Sequence, residues 1–257
     1  MINVSRCKQD DIQGLRTLFL NEMKAQFIHD KCHLYGWSDD YLFRVDGISV
    51  GYGCIWGIDR RQDRDTIFEF FILPGYRHHQ RLFMQELIRV SGVTNLECQT
   101  NDPNTSKVFF ENATCIEVQS ILFNDSFSTH WSIPGLKLEN KTSAQELSRE
   151  LKLELTMQDD IVGSGGLMLN YNLPFADVYV DVPELHRRQG YGSFIVQEAK
   201  RMAYAMGRVP AARCRVSNII SKGMLSRAGF RPCGYWLLGK VLLRDPALVA
   251  GKMPPVP

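Results

Sequence analysis

Apolar residues recur along this chain with two rhythms, every second position or every third and fourth, and the switches between them predict its elements. Ile12, Leu15, Leu18 and Phe19 form a helical stripe behind Asp10-Asp11, acidic residues at the end where the helix dipole favours them. The stretch from Gln26 to Tyr41, richer in His and aromatic residues, predicts a helix or loop at a domain edge. Asp46-Gly47 between Tyr41–Val45 and Ile48–Ile55 predicts a tight hairpin, because both residues tolerate positive φ. Ile67–Leu73 predicts a buried strand stopped by Pro74-Gly75; a basic turn from Tyr76 to Arg81 then leads into a helix carrying Leu82, Phe83, Leu87 and Ile88. Leu96–Thr100 is the next strand and Asn101–Asn104 the next turn.

After an aperiodic stretch from Asn124 to Gly135 the same order returns. Leu151–Met157 and Ile161–Tyr171 predict strands on either side of the Gln158–Asp160 turn. Asp177–Val182 alternates as a third strand. A helix over 193–206 follows, with Phe194, Ile195, Ala199, Met202, Ala203 and Met206 on one side and Gly207 at its end. Ala212–Ser217 predicts a strand, Asn218–Ala228 a helix closed by Gly229, and Phe230–Leu243 a final pair of strands, with a Pro-rich surface tail after Asp245. Strand, loop, helix, strand, turn, helix thus occurs twice, which predicts two tandem domains, 1–128 and 129–257. Only Ser143–Arg149 could supply a helix corresponding to those that open the first copy.

Composition narrows the class. With 44% apolar and 23% charged residues among 257 and a net charge of +2, the chain reads as an ordinary globular protein and not as one held to nucleic acid by bulk charge. Seven cysteines form no C-x-x-C pair, so reduced thiols and a cytoplasmic location are expected, with Cys98 and Cys214 as small core residues. No apolar run approaches the length of roughly eighteen residues that crosses a bilayer, and Met1–Lys8 carries no apolar leader. His78 and His79 find no third ligand nearby in sequence, and no metal site is expected.

The most informative stretch is Asp177 to Lys200. Gly190 and Gly192 lack a Cβ and so admit positive φ or close approach of a ligand. The helix that follows leaves its first N–H groups unpaired at its positive end, and Arg187, Arg188 and His186 add charge. This combination fits a pyrophosphate. Ile195 stands where a dinucleotide fingerprint needs its third glycine. The order Arg187-x-x-Gly190-x-Gly192 after a strand resembles instead the acetyl-CoA signature of the GNAT (Gcn5-related N-acetyltransferase) superfamily. The resemblance implies an α/β (α+β) fold of two tandem GNAT-like domains, each a mixed, mostly antiparallel sheet flanked by helices. It implies acetyl-CoA as co-substrate, held by Val180, Asp181 and Val182 along the pantetheine arm, by Arg187, Arg188, Gln189, Gly190, Tyr191, Gly192 and Ser193 at the pyrophosphate, and by Asn218 and Ser221 at the start of the next helix. Asn218 is equally a good N-cap.

The reaction implied is acetyl transfer to the amine of a small molecule by direct attack on the thioester, with the Val182 N–H facing the oxyanion. Two positions depart from the family: Leu225 stands where many members carry a tyrosine acid, and Ala211–Arg215 offers no glutamate base. Asp181 is the candidate catalytic base, set against a strand-end carboxylate paired to an arginine, and Tyr235 or a water chain the candidate acid. His33, Tyr35, Trp37 and Asp39 are candidate acceptor-side residues. Matching Phe83 to Phe194 puts His79 and Arg81 at the places of Gly190 and Gly192, and a one-residue slip puts His78 and Gln80 there. Either predicts a first copy without a cofactor site, on which the second copy depends to complete its acceptor side. The alternative to an active enzyme is a catalytically inactive CoA-binding regulatory or scaffold protein. Expected partners are a small-molecule amine acceptor, no nucleic acid and no membrane; a homodimer stays open.

Overall fold

The computed structural model describes residues 1–23, 26 and 29–242. The first half runs β1 (Ile2–Cys7), α1 (Gln9–Glu22), α2 (Asp30–Leu34), β2 (Asp39–Val45), β3 (Ile48–Trp56), β4 (Thr66–Ile72), a 3-10 turn (Pro74–His79), α3 (Gln80–Ser91), β5 (Asn95–Gln99), α4 (Pro103–Asn112) and β6 (Ala113–Asp125). The second runs β7 (Leu136–Asn140), β8 (Glu150–Met157), β9 (Asp160–Met168), β10 (Phe175–Asp181), a 3-10 turn (Glu184–His186), α5 (Tyr191–Ala205), β11 (Val209–Arg215), α6 (Ile219–Arg227) and β12 (Phe230–Val241). The turn between β2 and β3 holds Asp46 at φ 50 and Gly47 at φ 83, the positive angles that the Asp-Gly pair predicts.

All twelve strands join one sheet in the order β1-β2-β3-β4-β5-β12-β6-β11-β10-β9-β8-β7. It is mostly antiparallel, with parallel pairs β4–β5 and β10–β11. The two halves exchange their last strands. β12 lies beside β5 of the first half, and β6 beside β11 of the second. The position 128/129 thus falls just after a strand that pairs with the second half.

Each half buries an apolar layer under its helices. Phe83, Met84 and Leu87 of α3 and Val108 and Phe109 of α4 pack on Phe43, Phe70 and Leu96. Val196, Ala199 and Ala203 of α5 pack on Val178, Ala212 and Phe230. Gly165 lets α5 approach β9, since a Cβ there would lie 2.5 Å from Ile195. On the opposite face α1 packs Ile12 and Phe19 against Tyr52, Trp56 and Phe71. Trp236 belongs both to this layer and to the cluster of Leu122, Tyr171, Phe175 and Ala211 in the second half, so the two lie on the same side of the sheet. Among the described residues no helix of the second half covers that side. Gln26 and α2 of the first half meet it instead: Lys31 Nζ of α2 donates to Tyr171 Oη at 3.2 Å and Gln26 Nε2 to the Phe123 carbonyl.

Two expected elements differ. Ser143–Arg149 forms turns, although the Ser143 N–H and hydroxyl both bond Glu146 as at a helix start, because Glu150 already opens β8. The expected final strand pair is one strand, β12, bent by irregular pairing with β6 at Pro232/Gly234, Trp236/Leu237 and Leu238/Lys240. Leu243 and the Pro-rich tail lie outside the described residues. Among the described residues no helix is long and apolar enough to cross a membrane.

Candidate active site

β10 and β11 pair only at Phe175–Val209, Ala176–Pro210 and Asp177–Ala211. β10 continues to Asp181, its other edge still held by β9 as far as the Asp181–Ser164 pair. From Val178 onward the edge facing β11 has no strand partner, which opens a cleft between two diverging parallel strands. Val180 and Val182 pack their side chains against Ile195 of α5. What they present to a ligand along the open edge is therefore backbone.

The strand runs from this edge into the glycine loop. Arg188 at φ 65 and Gly190 at φ 88 are both left-handed. The N–H groups of Arg188 to Ser193 bond no acceptor among the described residues, and Gly190 caps α5 without side-chain help. Arg187 Nε donates to the Val182 carbonyl at 3.0 Å and so pins the loop to the strand end. Tyr191 and Ser193 are buried, Tyr191 donating its hydroxyl to Gln189 Oε1 at 2.9 Å, so both offer amides and not side chains. A Cβ added at Gly192 would make ordinary contacts, 3.5 Å from Met224 Cγ and 3.7 Å from Val182 Cγ2, so the position tolerates one without a clash.

The first half lacks this arrangement. α3 begins at Gln80 and α5 at Tyr191, each three residues before Phe83 and Phe194, which fixes the match of the two loops. There the 3-10 turn runs directly into α3, with His79 at φ −94 where Gly190 stands at φ 88. The space between β4 and α4 is reduced to cavities of about 20 and 30 Å³, room for a water or two. The rings of His78 and His79 lie 4.0 Å apart, tilted by 48°. Among the described residues the His/Cys/carboxylate cluster lies elsewhere, at His33, Asp40 and Cys54. It is a buried network: burial pushes the Cys54 thiol well above its ordinary range, so it stays protonated beside Asp40.

Of the candidate catalytic groups, Asp181 is exposed and makes no ion pair among the described residues. Alternation puts Asp177, Tyr179 and Asp181 on the face away from α5, and it is Asp177, which sequence reasoning passed over, that is built into a site. It stands where β10 and β11 part, 5% exposed, with Arg213 Nε 3.8 Å from Oδ2, a bond from Tyr171, and Oδ1 without a partner. Burial pushes its carboxyl up to about 6, against the pull of Arg213 and Lys31. Tyr171 Oη in turn accepts from Lys31 at 3.2 Å and from Arg213 Nη2 at 2.9 Å. Lys31 comes from the first half, so both halves build this cluster.

Leu225 is a core residue. Tyr235 lies on β12, separated from β11 by β6, and is 46% exposed, away from the cleft. Asn218 caps α6, its Oδ1 accepting from the Ser221 N–H at 2.9 Å. Of the acceptor-side candidates, His33 is buried 3.4 Å from Glu69. Asp39 pairs with Arg6 and Arg64, and Trp37 packs on Tyr35 and Arg61. Tyr35 alone of the four borders the cavity between the halves, its hydroxyl accepting from Asn170 Nδ2 at 3.2 Å.

Residues 8–126 match the family model described as an acetyltransferase (GNAT) domain. The match falls on the half without the glycine loop. No curated protein matches the chain in sequence. Solved structures do in fold. An acetyltransferase of the GNAT family from Colwellia psychrerythraea superposes with a TM-score of 0.76 at 12% identity, over 93% of this chain and all of that one. A tandem GNAT protein of the clavulanic acid biosynthesis pathway gives 0.62 at 12%, over 95% and 100%. A GCN5-related N-acetyltransferase from Sphaerobacter thermophilus gives 0.60 at 12%, over 93% and 95%. Residues 8–126 thus form a GNAT acetyltransferase domain, and the chain has the fold seen in GNAT-family acetyltransferases, a tandem GNAT protein among them.

Proposed function

We propose that the chain is an acetyl-CoA-dependent N-acetyltransferase, with its site in the second half, acting on the amine of a small molecule. The observation that carries this is the continuity of the open β10 edge with a loop of unbonded amides at the start of α5. The residues fit the cofactor: a pantetheine arm carries amides that pair with a free strand edge, and a pyrophosphate suits amides that no protein group occupies. Arg187 and Arg188 add positive charge there. Asn218 and Ser221 flank the cleft from α6, their own cap bond leaving the Asn218 amide nitrogen for a ligand.

When bound, acetyl-CoA supplies an activated acyl carbon and a thiolate leaving group, tolerable because a thiol has a pKa near 8.5. The Val182 N–H would be the donor to the acyl oxygen and would stabilise negative charge there. Asp177, not Asp181, takes the proton of the acceptor amine at its free Oδ1. Lys31 and Arg213, acting through Tyr171, hold the carboxylate in place after it ionises. Restraint of the two substrates by the cleft contributes the remainder.

Calorimetry with acetyl-CoA on the wild type and on Gly192→Asp tests the premise. The variant adds a carboxylate where the backbone has room for a Cβ, so it should keep its melting temperature and lose the heat of binding. Equal heats from the two proteins would remove the loop from the site. Release of free CoA thiol across an amine panel then tests turnover.

A further inference from the structure

A cavity of about 550 Å³ lies between the halves, lined by residues of both. That volume lies within the usual range for small-molecule sites. Its floor is Leu169 and Tyr171, both buried, and its rim carries Leu34 and Leu173, which are 66% and 74% exposed. Arg149 and Arg208 border it. Arg149 stacks over Tyr35 at 5.7 Å, and Arg208 donates one Nη to the Leu169 carbonyl. Neither makes an ion pair among the described residues. The carboxylate at this cavity, Asp30, is taken by Arg16 at 2.6 Å. Two guanidinium groups therefore border a partly apolar space without an ion pair of their own, Arg208 feeling Asp30 only through space, and guanidinium is the group best shaped to hold a carboxylate. Asn170 adds a buried Oδ1 with no hydrogen-bond partner, an acceptor suited to an amine.

We propose that this cavity binds the acceptor, and that the acceptor is an amine bearing a carboxylate and an apolar body: an amino acid with a hydrophobic side chain. The carboxylate lies between Arg149 and Arg208, the side chain among Leu34, Leu169 and Leu173, and the amine by Asn170 and Tyr171. This assignment rests on the acetyltransferase reading, to which Tyr171 connects it: the residue that floors the cavity is the hydrogen-bond partner of Asp177. Both halves line the cavity, so a half without helices of its own on this face gains an acceptor wall from the other.

The test is calorimetry of the full chain with N-acetyl-L-leucine and with N-(3-methylbutyl)acetamide, the same molecule without its carboxylate. One charged pairing is worth about tenfold in affinity, so N-acetyl-L-leucine should bind at least about tenfold tighter. Arg149→Gln and Arg208→Gln should each reduce that ratio several-fold and leave binding of the neutral amide unchanged. Arg149 is exposed, so its variant folds whatever the role of Arg208. Equal affinities, binding of neither probe, or variants that keep the wild-type ratio would overturn the proposal. Because these probes are read without cofactor, a failure of acetyl-CoA to bind would count against the acetyltransferase reading alone.

Discussion

Replacing Asp177 by Asn separates a catalytic base from a structural carboxylate. In the folded chain burial raises this carboxyl from an ordinary 3.8 to about 6. That difference corresponds to about 3 kcal/mol between the two protonation states. Because the folded value is the higher one, the stability it contributes is fully present below pH 3.8 and is lost as pH rises through about 6. The wild type should therefore lose up to about 3 kcal/mol of stability across this window relative to Asp177→Asn, seen as converging and then crossing urea midpoints. Activity runs the opposite way. A base works ionised, so log kcat/KM should rise with unit slope to about pH 6 and then level. An aromatic amine as acceptor, mostly neutral throughout, keeps its own titration out of this limb. Asp177→Asn should lose the limb and about 10² to 10⁴ in rate, whereas Asp181→Asn should retain both. An Asp177→Asn enzyme that kept the same acid limb and a rate within a few-fold of the wild type would refute Asp177 as the base.

Other consequences follow from particular contacts. Gly190→Ala places a side chain at φ 88 and should cost about 1 to 2 kcal/mol in urea unfolding, while Gly192→Ala, with its nearest neighbour at 3.5 Å, should change stability by less than about 0.5 kcal/mol. Lys200 is buried in α5, paired with Asp125 of β6 and donating to the Phe127 and Ala228 carbonyls at 2.7 and 2.8 Å. Lys200→Met strands that carboxylate and should cost roughly 3 to 5 kcal/mol, and adding Asp125→Asn should recover part of the loss in a thermal melt. Chains cut at 128/129 should each aggregate when expressed alone, since each would expose sheet edges meant for the other's strand; co-expression should restore one soluble complex by gel filtration. Two independently soluble, folded halves would contradict the exchange.

How much of this was legible depended on range. The β10–loop–α5 unit is contiguous in sequence, and its alternation, glycines and helical stripe each report on the next few residues, so strand, loop and helix were readable together. Asp181 and Asp177 share a face by the same alternation, but which is buried depends on where β11 stops pairing, and nothing in residues 177–181 encodes that. A carboxylate at the start of an otherwise apolar strand was the available signal. Lys31 meets Tyr171 across 140 positions, beyond any periodic pattern. Ser143 and Glu146 did form their capping contacts, yet local propensity yielded to the strand that begins at Glu150.

The strand exchange also accounts for the inequality of the halves. β6 and β12 lie side by side with β5 and β11 outside them, so neither half can leave without breaking ladder hydrogen bonds along both strands. The halves are then fixed relative to each other without needing a ligand in each. The first half can fill the space beside β4 down to cavities of a water or two and still do necessary work. It supplies β6 to the second half's sheet, and it carries α2 against the face of that half which, among the described residues, has no helix of its own. Lys31 lies on that helix and reaches the Asp177 cluster. On this reading the second cofactor loop was dispensable, whereas the first half's α2 was not: removing it would uncover Tyr171 and take one of two cations from the base.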